Sequence, residues 1–198
     1  PQHRGPSSIN WPIAMGKTRT GLSIFWPDDG LDEGPMMLQK TCRIGPDETL
    51  GDVYFKKLFP MGVDAMIEGL ELVKAGVIIK HNQRLEDGSY ESWFGKAAAK
   101  IDWSKPVADI YNIIRAANPA PGAWTTIGGS ELKIYDSARV DGTGTAGQVV
   151  SVNEDGVTVQ AEGGRILIKR VRSADGSKTA ASEWAAAAGI NSGTKLGS

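Results

Sequence analysis

Three glycine-bearing dipeptides, Gly128-Gly129, Asp155-Gly156 and Gly163-Gly164, punctuate the second half of this chain and separate short runs rich in apolar and β-branched residues. Glycine reaches backbone angles closed to other residues, so such dipeptides reverse a chain tightly and pair the flanking runs as antiparallel hairpins. The pattern predicts strands over 123–127, 132–140, 147–152, 157–161 and 165–171. An open sheet of that kind leaves bare edges and a closed one does not, so a small antiparallel barrel is expected. Thr179 precedes an alanine-rich helix to residue 188, and residues 191–198 read as a frayed tail.

The first half follows a different rhythm. Ser8 stands where it can cap a short helix over 9–15, with Pro12 in the first turn. Residues 20–26 and 36–44 read as strands. Thr49 with Asp52 three positions later has the spacing of a capping box. Beyond it Leu50, Val53, Tyr54, Leu58, Val63, Met66, Ile67, Leu70 and Val73 recur at helical steps to residue 75, with a break expected at Pro60 and a stop at Gly76. The periodicity then dissolves into a polar stretch over about 80–96, expected to be an inter-domain linker in which His81 is solvated. Ser104 and Pro106 start one more helix, which ends at Asn118-Pro119. The division is therefore 1–96, linker included, and 97–198, in an α/β chain.

A 198-residue chain with 40% hydrophobic residues can bury a core in each part. Its net charge of -1 excludes a global positive field, though not a local basic face. Lys133, Arg139, Arg165, Lys169, Arg170 and Arg172 fall on both faces of their strands rather than in one stripe, which favours solvated side chains over a shared RNA-binding surface. The single Cys42 cannot form an intrachain disulfide, and with His3 and His81 it offers no zinc spacing. A reducing, cytoplasmic setting is expected, and no apolar run approaches the roughly 20 residues needed to cross a bilayer. Trp11, Trp26, Trp103 and Trp124 flank proposed elements and read as core anchors.

Chemistry concentrates in residues 26–35, Trp-Pro-Asp-Asp-Gly-Leu-Asp-Glu-Gly-Pro, between the first two strands. Asp28, Asp29 and Asp32 place three carboxylates within five residues beside glycines that admit close approach of a ligand. On spacing alone the loop is compatible with a solvated acidic turn, a metal loop or an acid–base group. The ligand spacing and terminal bidentate Glu of a calcium loop are missing, and no metal is expected.

Three segments in order narrow this choice: Pro1-Gln2-His3-Arg4-Gly5 running to Trp11, Gly30-Leu31-Asp32-Glu33-Gly34-Pro35, and Ile101-Asp102-Trp103-Ser104-Lys105-Pro106 followed by residues 118–124. In this order they resemble the formyltransferases that use 10-formyltetrahydrofolate, a family that includes methionyl-tRNA formyltransferase and the hydrolase part of 10-formyltetrahydrofolate dehydrogenase. The resemblance implies the C-terminal part of a Rossmann-like formyltransferase domain followed by an OB-like antiparallel barrel. It implies a one-carbon transferase of translation initiation, with 10-formyltetrahydrofolate as donor and methionyl-tRNA as partner. Asp32 matches the family's catalytic Asp, and Pro1, Asp28, Asp29, Gly30 and Leu31 become candidates to line the folate site. The family's catalytic Asn and the His two residues after it precede the segment that opens here at Pro1, and His3 does not replace them. The isolated chain is therefore expected to be N-terminally truncated and nearly inactive. Two alternatives stand beside this reading: a 10-formyltetrahydrofolate hydrolase, which the Phe25-Trp26 lead into the loop resembles, and a noncatalytic folate- or RNA-binding fragment.

Overall fold

Thr49 accepts a hydrogen bond from the backbone N–H of Asp52, and the Asp52 carboxylate accepts one from the N–H of Thr49. This reciprocal cap starts helix α2 in the computed structural model of the protein, which describes residues 2–197. Two compact units make up the chain, one reaching to Trp93 and the other beginning at Phe94.

In the first unit, α1 (Asn10–Ala14) buries Pro12 and Ile13. Its cap position is Ile9, without a side-chain cap, so Ser8 does not serve; the N–H of Trp11 reaches the Ser7 carbonyl instead. Strands β1 (Arg19–Phe25) and β2 (Met36–Arg43) pair antiparallel from Arg19 opposite Arg43 to Phe25 opposite Met36, with a bulge at Ile24 and Phe25. Helix α2 (Leu50–Val53) passes through a π-helical turn, Tyr54–Leu58, into α3 (Phe59–Lys74). The break expected at Pro60 does not occur. Pro60 falls in the first turn of α3, and the wider turn ahead of it makes room for a ring that would otherwise clash with the preceding turn. One side of α3 lies on the β1–β2 ribbon at Gly62 and Gly69, where an added side chain would crowd Leu22 and Met37. Val53, Leu58, Ala65 and Met37 are buried with Ile13. No parallel sheet occurs among the described residues of this unit, whose only sheet is the β1–β2 pair.

Helix α4 (Val107–Ala116) opens the regular structure of the second unit, and its cap position is Pro106 rather than Ser104. Then follow β3 (Ala123–Ile127), β4 (Ser130–Ile134), β5 (Ser137–Val140), β6 (Val149–Asn153), β7 (Gly156–Ala161), β8 (Gly164–Ile168), β9 (Arg170–Ser173), β10 (Thr179–Ala180) and α5 (Ala181–Ala188). The three glycine dipeptides fall at the β3–β4, β6–β7 and β7–β8 reversals, and all three pairs are antiparallel.

The expected hairpins form, with all of these strand pairs antiparallel. Two four-stranded antiparallel sheets result, ordered β10-β9-β4-β3 and β5-β8-β7-β6. The runs 132–140 and 165–171 are each two strands, because the chain turns from one sheet into the other at Tyr135-Asp136 and again at Lys169. At that corner the Asp136 carbonyl accepts the N–H groups of both Lys169 and Arg170, at 2.8 and 3.2 Å. Residues 191–197 are not frayed either. The N–H of Leu196 donates to Gly147 O and the N–H of Gly197 to Thr126 O, both at 2.8 Å, and Leu196 is buried.

Leu132, Ile134, Val149, Val157, Val159, Ile166, Ile168 and Val171 fill the core of this unit, with Ile110 and Ile114 from α4 and Ala181 and Ala185 from α5. A long polar side chain lies among them. Gln160 is 1% exposed, donates from Nε2 to the carbonyls of Ala161 and Gly164 at 2.8 and 2.9 Å, and accepts from Arg165 Nε at 2.9 Å. Its buried polar groups are thus satisfied.

Candidate active site

The loop over 26–35 bridges β1 and β2, and the N–H of Trp26 donates to Pro35 O at 2.9 Å across its neck. The Trp26 indole N–H donates to Ile79 O at 2.9 Å, so this ring anchors the loop from below. Gly34 passes so close to the Trp26 carbonyl that a Cβ there would collide with it, which is the physical reason for glycine at that position. Asp28 Oδ1 accepts the N–H of Gly30 at 3.0 Å and folds the tip into an Asx turn. Asp28, Asp29, Gly30 and Leu31 are exposed there. Asp32 differs from them. It is half-buried, adopts φ of 55°, and its Oδ2 lies 3.4 Å from the N–H of Gly5. The left-handed region is uncommon for residues other than glycine, though Asp tolerates it better than most.

Two further segments frame the loop. Gln83 donates from Nε2 to the carbonyls of Asp32 and Gly34, at 2.9 and 2.7 Å. Met36 and His81 exchange backbone hydrogen bonds at 2.8 and 2.9 Å. The N–H of Arg4 donates to Ser89 O and the N–H of Glu91 to Arg4 O, at 3.0 and 3.1 Å. The guanidinium of Arg4 pairs with the Glu33 carboxylate, and His3 Nδ1 stands 3.3 Å from Glu91 Oε1. Residues 81–91 are therefore part of the first unit. These bonds tie the stretch to the loop and to the N-terminal segment, while the His81 side chain is exposed. Spacing and residue type assign no role to Gln83, Glu33, Ser89 or Glu91. A polar stretch without periodicity hides such roles, because they depend on which carbonyls the fold leaves unpaired.

A cavity of about 920 Å³ opens beside these residues, with His3, Arg4, Asp32 and Gln83 on its wall and Thr20 and Leu22 along β1. Asp32 is thus brought together with Arg4, His3 and Gln83, while the other loop candidates sit on the outer tip. Pro1 lies outside the described residues. Among the described residues no group of His, Cys, Asp and Glu could hold a metal ion, and no helix is long and apolar enough to cross a membrane. Burial pushes the Cys42 thiol up from its ordinary value, with Lys57 opposing it.

Three of the basic residues of the second unit hold local partners. Lys133 Nζ donates to Pro121 O at 3.0 Å, Arg139 lies over the Tyr111 ring, and Arg165 serves Gln160. Trp103 is buried and donates to Thr125 Oγ1 at 3.0 Å, whereas Trp124 is half-buried with Lys96 and Lys100 over its ring.

Similarity to known proteins extends over both units. The chain is 35% identical to the human cytosolic 10-formyltetrahydrofolate dehydrogenase, over 93% of this chain and 22% of the dehydrogenase. It is 34% identical to the methionyl-tRNA formyltransferase of Trichlorobacter lovleyi, over 99% of this chain and 62% of that enzyme. The chain therefore spans about a fifth of the first relative and under two thirds of the second. Among solved structures, HypX from Aquifex aeolicus in complex with tetrahydrofolic acid superposes with a TM-score of 0.78 at 18% identity, over 93% of this chain and 33% of HypX, a likeness of fold. Residues 1–69 match the family model "Formyl transferase" and residues 95–189 match "Formyl transferase, C-terminal domain". With both models matched in order on one chain, this protein belongs to the formyl transferase family.

Proposed function

We propose that this chain contributes to an enzyme that moves a formyl group from 10-formyltetrahydrofolate to an amine, with methionyl-tRNA as the acceptor. The observation that carries the reading is Asp32, held half-buried in a left-handed conformation on the wall of the cavity while Asp28 and Asp29 are exposed. In formyl transfer the amine attacks the formyl carbon, and charge develops on the carbonyl oxygen. A fixed carboxylate beside that centre can orient a protonated donor or take up the proton that the amine loses. We assign that role to Asp32. The exposed tip, Asp28, Asp29, Gly30 and Leu31, supplies backbone donors and acceptors for the flat edge of a pterin. The oxyanion donors are expected from an Asn-x-His segment, a spacing absent from these 198 residues. The second unit, two sheets joined at shared corners, is the counterpart of the OB-like barrel and would support the tRNA.

A second reading has its own support. The human relative is named a 10-formyltetrahydrofolate dehydrogenase, and Phe25-Trp26 leads into Asp28-Asp29-Gly30-Leu31-Asp32 as in that branch. Water would then replace the amine.

The test is formyl transfer by a polypeptide containing this chain together with an Asn-x-His segment, followed as formylmethionyl-tRNA and as formate released without tRNA. tRNA-dependent consumption of the donor is the expected result. Formate release alone would establish the hydrolytic reading, and neither product would remove both. Asp32→Asn should lower kcat by about 10²–10⁴, and a near-normal rate would remove Asp32 from the chemistry.

A further inference from the structure

We infer that Gln83 is a positioning residue for Asp32, acting through the backbone of the loop; this rests on the catalytic role proposed for Asp32. The side-chain amide of Gln83 carries two N–H donors, and Nε2 faces two carbonyls of the same turn, Asp32 O at 2.9 Å and Gly34 O at 2.7 Å. One rigid planar group gripping carbonyls two residues apart fixes the orientation of the peptides between them. Those peptides follow Asp32 directly, where φ is 55°. A residue held in that region needs its surroundings to impose it, since the extended region is otherwise preferred. Rotation of Asp32 to an extended backbone would carry its carboxylate away from the N–H of Gly5.

Gln83 is itself anchored on both sides. The Met36–His81 backbone pair lies two residues before it, and the turn Leu85–Asp87 lies two residues after it. The clamp is also uncharged. A Lys or Arg could donate to the same carbonyls but would set a fixed positive charge near the carboxylate, and a Glu carboxylate would oppose acceptors to acceptors. Gln supplies geometry without changing the local charge. The neighbouring pair, Arg4 on Glu33, holds the loop from its other flank, so the two clamps enclose Asp32 between them.

The test is a double-mutant cycle in the active polypeptide that contains this chain, with Gln83→Leu and Asp32→Asn made singly and together. Gln83→Leu should lower kcat about tenfold or more while KM for 10-formyltetrahydrofolate stays within about threefold, because the exposed tip is not gripped by the clamp. In the Asp32→Asn background Gln83→Leu should add nothing, since residues acting as a unit are not additive. Gln83→Glu, whose carboxylate only accepts, should be impaired at neutral pH as Gln83→Leu is. Unchanged kcat in Gln83→Leu, or losses that multiply with Asp32→Asn, would overturn the inference. A near-normal Asp32→Asn instead defeats the role of Asp32, a separate result. Should Gln83→Leu fold poorly in the active polypeptide, backbone amide exchange in the 198-residue chain carrying Gln83→Met decides the matter. Faster exchange confined to residues 26–35 is expected, and unaltered protection there would count against the clamp.

Discussion

Ile134, Ile166 and Val171 in the second unit are sealed from solvent, whereas Phe55, Phe59, Ile67 and Leu70 along the helix of the first unit each leave more than half their surface open. Both sets follow from regular apolar patterns. The difference lies in what each pattern has to pack against. Two four-stranded sheets with α4 and α5 can cover one another's apolar faces, but a single two-stranded ribbon covers only one side of α3. A helix apolar on nearly all sides needs neighbours on nearly all sides. Contiguous exposed apolar side chains of this kind are associated with contacts rather than with bulk solvent.

Core substitution should separate the two units most strongly. Ile134→Ala is expected to cost about 2–5 kcal/mol, read from the denaturant midpoint of the second unit. Ile67→Ser on the open face should change stability by no more than about 0.5 kcal/mol and should reduce binding of a hydrophobic dye. If Ile67→Ser destabilises as much as Ile134→Ala, the open face is not open in solution.

A smaller effect is expected at Gln160. Gln160→Leu strips a largely buried network of its donor and its acceptor, leaving the carbonyls of Ala161 and Gly164 and the Arg165 Nε without that partner. The cost should be about 1–3 kcal/mol by thermal unfolding, and a neutral result would mean that water enters the site.

The smallest effect concerns the first unit. Asp52→Ala removes half of the capping box and should cost about 1 kcal/mol. A hydrogen bond from Lys56, with those from Thr49, holds the Asp52 carboxyl below its ordinary value. For Glu48 partial burial acts upward, but the Lys57 ammonium and the Gly45 N–H outweigh it and the net direction is down. A carboxylate with a depressed native pKa stabilises the fold above its unfolded value, about 3.9 for Asp and 4.3 for Glu, and that contribution fades as pH falls through the native value. The unfolding midpoint of the first unit should therefore drop on acidification below about pH 4.5, and more shallowly in Asp52→Ala. Equal slopes for the two proteins would count against this cap.

The contrast between the units also governs what could be read from the residues alone. Turn dipeptides and the capping box are local, so Gly128-Gly129, Asp155-Gly156, Gly163-Gly164 and Thr49 with Asp52 identify themselves by spacing. Long runs do not disclose corners. The continuous run 132–140 gives no sign that the chain changes sheets at Tyr135-Asp136, because a bent strand and a straight one share the same apolar composition. Pro60 misled for the opposite reason: the helix accommodates it by widening one turn, a tertiary adjustment that propensity does not encode. In the site, the loop is visible through its carboxylates and glycines. Gln83 is invisible, because its meaning resides in two carbonyls roughly fifty positions earlier in the chain.

The strip over 193–197 belongs to no strand, yet it meets β6 at Val149, the neighbouring Gly147, and Thr126 in β3, one of the two outer strands of each sheet. Unpaired outer strands recruit further strands, and polymerisation begins from such templates. A strip that occupies backbone groups along the β6 rim and one carbonyl of β3 acts as a selvage, the woven margin that keeps a fabric from unravelling or being sewn to another. The resistance of the β6 rim to edge-to-edge growth thus resides in a few residues that carry no regular structure of their own.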